Sequence, residues 1–483
     1  MKVLKFGGTS VGSSKNISKV IKIVKQESAS ENIAVVVSAV GGITDKLLIA
    51  ADKAIAKDLS YKEDFEALRL KHVEVIDGLL SGEVHETTTD IVMEHLSRLE
   101  KLLDGVYLIN ELSPKTTDKL LSFGELISSL IIYEAIKLKG VNVQLKNSQN
   151  LIVTDSNFTN AAVNFEETNA NIKTYFENNQ KMVTILPGFI SKSENGEITT
   201  LGRGGSDYTA AIIAAALNAS ILQIWTDVSG MFTTNPKVVK HAKPIKKLSY
   251  LEAIELSHFG AKVLYPPTVQ PVLRKDIPLL IKNTLAPEDS GTLITKIVEN
   301  GSQFPIKGIS NINNVSLITL QGNGMVGIPG FSKRLFETLA HSKINVIIIT
   351  QASSEHSICI GIADVDAHSA KAVIDKEFEN EISLFKIDPL VIEPNLSIVA
   401  VVGDKMKSHQ GISGKMFSTL GKNNVNIRAI AQGASERNIT AVICESDVKK
   451  ALNSLHEQFF EEQTKQMNLF ISGVGNVGKS LID

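Results

Sequence analysis

The chain has 483 residues, 43% of them hydrophobic, and a formal net charge of −2 at pH 7. This length allows roughly two to four domains with ample core, and the near-neutral charge excludes a strong field for nucleic acid or an anionic membrane. Its two cysteines, Cys359 and Cys444, stand outside any C-x-x-C pattern, which argues against a disulfide framework or a thiolate metal site and suits a reducing, cytoplasmic compartment.

Residues 1–6 alternate and predict a strand, which leaves no room for a signal peptide ahead of it. No apolar run reaches the roughly 18 residues of a membrane span. The turn Gly7-Gly8-Thr9-Ser10-Val11-Gly12 leads into a helix carrying Ile17, Val20, Ile21 and Val24. A glycine-rich turn between strand and helix presents backbone N–H groups at the positive end of a dipole, an arrangement suited to phosphate, and Lys5 at the strand end is within reach of the same anion. The spacing matches neither the P-loop nor the dinucleotide fingerprint, and an ordinary tight turn would use the same glycines. Residues 33–38 form a continuous apolar run, as in a strand buried on both faces. Gly41-Gly42 follows, with Thr44-Asp45 predicted to cap a helix over 46–56. Residues 62–139 read as mostly helical, and the last helix, about 117–139, carries Phe123-Gly124-Glu125. Strands are predicted at 141–145, 182–186, 221–225 and 277–282, with an Ala-rich helix at 207–217 and a boundary at 287–291. Alternating strands and helices predict an α/β domain with a mainly parallel sheet between helix layers.

Beyond residue 290 there is an internal repeat. Gly330, Ser332, Phe336, Asn345 and Gln351 recur 81 positions later as Gly411, Ser413, Phe417, Asn426 and Gln432. Each copy reads strand, helix, strand, strand, helix, which fits duplicated small α+β domains. The first copy has a final strand predicted near 385–391, and the second lacks one. Residues 305–310 supply a spare strand, so the first copy is expected to be inserted in the second. The chain ends with Gly473-Val-Gly475-Asn-Val-Gly478 after an apolar run, a dinucleotide turn with only five residues beyond it. That pattern predicts the front of a longer polypeptide.

Several stretches carry chemistry. Arg203, flanked by Gly202 and Gly204, suits bidentate capture of a carboxylate, or an ion pair with Asp207 in the same loop. Asp207 itself suits a helix cap. The stretch 225–237, with Thr226, Asp227, Phe232 and Lys237, could hold a base and ribose or be a surface loop. Lys262 follows a helix and could equally be solvated. Glu125 lies within an apolar helix, where an acid is costly to bury unless it meets a cation or faces solvent.

Taken together, KFGGTSVG at 5–12, Ser38 with GGITD at 41–45, FGE at 123–125, GRGGSD at 202–207, WTDVSGMFTTNPK at 225–237 and FGAKVLYPPT at 259–268 resemble the aspartate kinases of the amino-acid kinase family. The repeat resembles tandem ACT regulatory domains of ferredoxin-like fold, and the terminal motif resembles the start of homoserine dehydrogenase, as in the bifunctional members. Asp45 stands where family members commonly carry Asn, and Phe232 where some have Tyr. The resemblance implies a kinase domain over 1–290, a regulatory region over 291–467 (314–392 inserted between 303–312 and 395–465), and a truncated Rossmann unit over 468–483. It implies transfer of the γ-phosphoryl group of ATP, with Mg²⁺, to the side-chain carboxylate of L-aspartate. Lys5 and Asp207 are then catalytic. Thr44, Glu125, Arg203, Gly204 and Ser206 hold aspartate. Gly7, Gly8, Ser10, Thr226, Asp227, Phe232, Lys237 and Lys262 hold ATP. Asn345, Gln351, Asn426 and Gln432 read an amino-acid effector, threonine by resemblance, in a homo-oligomer joined through the ACT domains. The competing expectations are a kinase of another amino acid, such as glutamate or acetylglutamate, a catalytically silent amino-acid sensor, and a dehydrogenase judged from the last motif alone.

Overall fold

The computed structural model describes residues 1–179, 182–259, 264–296, 305–351, 356–404, 406, 409–433 and 437–461. The motif at 473–478 therefore lies outside the described residues.

The first half is built on β1 (Lys2–Phe6), β2 (Ile33–Val37), β3 (Val143–Leu145), β4 (Val153–Thr154), β5 (Val183–Pro187), β6 (Ile190–Ser193), β7 (Ile198–Thr200), β8 (Ile221–Thr226), β9 (Lys247–Ser249), β10 (Leu279–Asn283) and β11 (Thr292–Thr295). Eight of these form one sheet in the order β3-β5-β2-β1-β8-β10-β11-β9, and β4, β6 and β7 form a small second sheet. From β3 to β10 the pairing is parallel, with Phe6 opposite both Val37 and Trp225, Val37 opposite Pro187, and Thr226 opposite Asn283. The carboxyl ends of these strands thus form one edge, where ligands bind in open α/β sheets.

Helices cover both faces. On one side lie α1 (Ser14–Glu27), α2 (Ile43–Ile55), α3 (Tyr61–Asp77), α4 (Gly82–Ile109) and α5 (Pro114–Leu138), and on the other α6 (Phe165–Asn178), α7 (Gly205–Ala216), α8 (Tyr250–His258) and α9 (Gln270–Arg274). Ile33, Val35 and Val37 join the first layer, and Ala34 and Val36 the second. This two-sided burial explains the unbroken apolar run in β2.

Two helix starts differ from expectation. α2 begins at Ile43 behind Gly42 (φ 81°), so Thr44 and Asp45 lie in its first turn instead of capping it. α7 begins behind Gly204 (φ 72°), and Asp207 is likewise in the first turn. A left-handed residue is needed to aim each chain into its helix, and glycine adopts it at least cost.

The second half contains β12 (Gly308–Gln321), α10 (Phe331–His341), β13 (Val346–Gln351), β14 (Ser357–Ala363), α11 (Ala367–Glu377), α12 (Glu379–Ser383), β15 (Val391–Val402), α13 (Ile412–Lys422), β16 (Ile427–Gln432), β17 (Asn438–Cys444) and α14 (Val448–Phe460). One antiparallel sheet runs β13-β14-β12-β15-β17-β16. Its two central strands are long and shared. Residues 308–312 of β12 pair with 398–402 of β15, and after a register shift 315–319 pair with 391–396. The strand predicted near 385–391 is displaced, because β15 starts at Val391. Ile387 and Leu390 are buried beneath α10 and α11, while Phe385 is 95% exposed in a left-handed turn, so these apolar residues anchor a turn instead of extending a strand.

Candidate active site

The turn after β1 is closed by its own backbone. Gly7 N–H donates to Trp225 O at 3.2 Å, and Ser10 and Val11 N–H donate to Gly7 O at 2.9 and 3.2 Å. Gly41 packs against this turn so closely that an added Cβ would lie 2.8 Å from Gly8 O. The ends of β1 and β2 therefore touch backbone to backbone, and the start of α2 comes to the same edge. The start of α7 faces it, and together these segments enclose a cavity of about 560 Å³.

Lys5, Gly8, Thr44, Glu125, Arg203, Gly204, Ser206 and Asp207 all line this cavity. Lys5 Nζ lies 2.7 Å from Asp207 Oδ1, with both side chains largely buried. Asp207 thus partners the lysine from the first turn of α7 and does not cap the helix. α2 and α7 both start on the cavity without a side-chain cap, so first-turn N–H groups are left for a ligand.

Glu125 is 4% exposed, and its Oε2 has no hydrogen-bond partner. Burial pushes its carboxyl up to about 8, against the backbone amides of Ala39 and Glu125 itself and the charge on Lys5. The acid is thus turned inward, away from the exposed helix face. Gly124 makes this placement possible, since a Cβ there would lie 2.9 Å from Ala39 Cβ. Arg203 is exposed, and its guanidinium stacks over the Tyr265 ring, 5.4 Å from the centroid. With Asp207 on Lys5, Arg203 has no carboxylate partner recorded among the described residues.

Asp118 escaped the sequence reading. It is fully buried and accepts from Thr159 N at 2.9 Å, Thr200 N at 3.1 Å and Thr200 Oγ1 at 2.6 Å. Thr159 and Thr200 line the cavity, so Asp118 fixes its wall. Burial raises its carboxyl, opposed by the Thr200 hydroxyl and the two amides. In sequence it is one acid in a polar helix start, and only the contacts reveal it.

Other expected residues lie outside the cavity lining. Ser10 is 1% exposed, with its hydroxyl 2.7 Å from Thr284 Oγ1 and 3.2 Å from Trp225 O. With its N–H bonded to Gly7 O, Ser10 ties the turn to β8 and to Thr284 just beyond β10. The Gly7 N–H is spent on Trp225 O in the same way, while a Cβ on Gly7 would lie 3.3 Å from Lys5 Nζ. Thr226 Oγ1 donates to Asp227 Oδ1 at 3.2 Å just beyond Trp225. Phe232 bridges to Pro244, and Lys237 is exposed. Lys262 lies outside the described residues. Asn345, Gln351, Asn426 and Gln432 are all exposed on or before β13 and β16, and Gln432 Oε1 accepts from Ser413 Oγ at 3.2 Å.

A buried acid, a paired lysine and aspartate, an exposed arginine and two helix starts without side-chain caps thus face one cavity. Residues 1–283 match the amino acid kinase family, and residues 318–378 and 399–459 each match the ACT domain. The chain belongs to the amino acid kinase family. Over 486 residues the chain is 35% identical to the bifunctional aspartokinase/homoserine dehydrogenase 2, chloroplastic, of Arabidopsis thaliana, covering 100% of this chain and 53% of that one. The chain thus spans about half the length of the curated bifunctional relatives it matches. Two crystal structures of E. coli aspartokinase III resemble it across 95% of this chain and 100% of theirs. One, with aspartate and ADP, has a TM-score of 0.81 at 30% identity. The other, with lysine and aspartate, has a TM-score of 0.77 at 31% identity. No group of three or more His, Cys, Asp or Glu among the described residues is placed to hold a metal ion, and no described helix is long and apolar enough to cross a membrane.

Proposed function

We propose that this chain is an aspartate kinase, moving the γ-phosphoryl group of ATP to the side-chain carboxylate of L-aspartate to give 4-phospho-L-aspartate. The observation that carries this reading is Glu125, a buried carboxylate with an unpartnered oxygen on the cavity wall. An α-ammonium supplies the counter-ion that this carboxylate lacks. Arg203 takes a carboxylate with its planar fork, with Thr44, Gly204 and Ser206 at the two helix starts beside it. Lys5 neutralises charge on the transferring phosphoryl group, and Asp207 holds the lysine in place. Gly8 offers backbone to the phosphates, and Gly7 shapes the turn beside the ammonium. Thr226, Asp227, Phe232, Lys237 and Lys262 serve the nucleotide, whose phosphate charge Mg²⁺ would offset when bound with it.

The regulatory part is read as two ACT domains, the first inserted in the second. Its support is the pairing of residues 308–312 with 398–402, which gives the second repeat its fourth strand. Threonine is the effector, bound near Gln351 and Gln432, and the ACT domains join copies of the chain. Because the E. coli relative was crystallised with lysine, both amino acids belong in the assay.

The test is an ADP-release assay with acyl phosphate trapped by hydroxylamine. Aspartate gives the hydroxamate, and glutamate or acetylglutamate gives none. ATP turnover independent of aspartate, or equal trapping with glutamate, overturns the assignment.

A further inference from the structure

The loop after β8 and the end of α8 lead into segments that the proposed function assigns to the nucleotide. Both are held by the same three residues of β12, in the regulatory part of the chain. Ile309 N–H donates to Thr233 O at 2.7 Å. Gly308 lies so close that an added Cβ would be 3.2 Å from Thr233 O and 2.7 Å from Leu256 Cδ2. Ser310 Oγ donates to Phe259 O at 2.8 Å and lies 3.3 Å from Leu256 O. These are end-of-helix carbonyls of the kind that have no partner within a helix. The Thr233 hydroxyl accepts from Lys243 N–H at 2.9 Å and meets His456 Nε2 of α14 at 2.9 Å. Thr233, Ser310 and His456 are all buried.

We propose that Thr233, Ser310 and His456 are positioning residues for the nucleotide, fixing from the regulatory side the loop that carries Phe232 and the end of α8. This rests on the assignment of residues 226–237 to ATP. Thr233 directly follows Phe232, so the bonds to Ile309 and His456 set where that ring stands. A loop ordered before the ligand arrives does not charge its ordering entropy to binding. None of the three side chains lines the cavity that holds Lys5, Glu125 and Arg203. Their loss should therefore act on nucleotide binding and spare aspartate binding.

The experiment uses the full chain and a non-hydrolysable ATP analogue with Mg²⁺, with binding measured by calorimetry alongside KM for aspartate and Tm. Ser310→Ala and Thr233→Val should each weaken analogue binding about three- to tenfold, the effect of one lost hydrogen bond. Thr233→Ser, which keeps the hydroxyl, should bind as the parent does. KM for aspartate should stay within about twofold of the parent. Lowered Tm with unchanged analogue binding in both variants would show a purely structural role and overturn the proposal. So would equal losses for analogue and aspartate. If Thr233→Val does not fold, His456→Leu makes the same comparison from outside the loop. Analogue binding needs no turnover, so a parent that binds the analogue but phosphorylates no aspartate sinks the proposed reaction and leaves this comparison to be decided on its own.

Discussion

Lys5 and Glu125 sit in one cavity and answer to opposite rules. Lys5 is paired and Glu125 is not. Replacing Lys5 by Ala removes the cation at the anion site, and transfer should slow by on the order of 10²–10³-fold, the effect of one lost electrostatic donor. Asp207 would then be buried without its partner, so Tm should also fall. Circular dichroism and kcat measured on the same sample check both, and a folded Lys5→Ala protein with normal kcat refutes the role. Glu125 makes a pH prediction. Its ordinary value is 4.5 and its folded value is about 8, so between these pH values the unfolded chain has lost a proton that the native state keeps. Stability of the ligand-free protein should therefore fall as pH rises from about 4.5 to about 8. Glu125→Gln should remove that fall, read as Tm against pH. Aspartate binding near pH 7 should release a proton, because the α-ammonium favours the carboxylate. Calorimetry in buffers of different ionisation enthalpy detects it. Which residues to suspect was legible in the sequence, since glycine flanks and an acid in an apolar helix are local signals. Which partner each one has was not. From the residues alone Asp207 had a cap or Arg203 open to it, while the family resemblance implied Lys5, the partner found where β1 meets α7.

At the level of elements, the site depends on backbone approach. Gly41 allows the turn after β2 to rest on the turn after β1. A methyl group there meets Gly8 O at 2.8 Å and Gly12 Cα at 3.2 Å, both backbone atoms that cannot swing aside. Gly41→Ala should push the two turns apart, costing about 1–3 kcal/mol of stability. Misplacing the groups by about 1 Å should lower kcat on the order of 10²-fold. Steady-state kinetics and a urea melt measure the two effects, and a variant with normal kcat would show that the contact is incidental. Strands were legible wherever burial on both faces left an apolar run, as in β2. The helix starts at Gly42 and Gly204 were misplaced because Thr44, Asp45 and Asp207 have cap chemistry, while the real N-caps are glycines chosen for backbone angle. The strand predicted near 385–391 failed for the related reason that apolar residues in a turn can point into a core.

Across the whole molecule, the proposed effector residues lie outside the cavity lining. Gln351 and Gln432 end the two edge strands, β13 and β16. Gln351→Ala and Gln432→Ala should relieve threonine inhibition, a coupling typically worth about 1–3 kcal/mol, and leave uninhibited kcat intact. A threonine titration with lysine as control reads this, and unchanged threonine sensitivity in both variants refutes it. The repeat was visible because duplication preserves spacing. How the two parts grip one another was not, because Ser310 and Thr233 are small polar residues with no local signature. The shared strand β12 has one more consequence, for the order in which the protein is made. Residues 308–312 leave the ribosome before any of the first repeat, yet their partners at 398–402 come only after all of it. The second repeat must therefore close a long loop, an entropic cost that slows late pairing and leaves an early strand edge without its neighbour. The bonds from Ile309 and Ser310 to the kinase part join residues already synthesised by then. The first half of the chain is thus placed to hold one strand until the partner strand has been made.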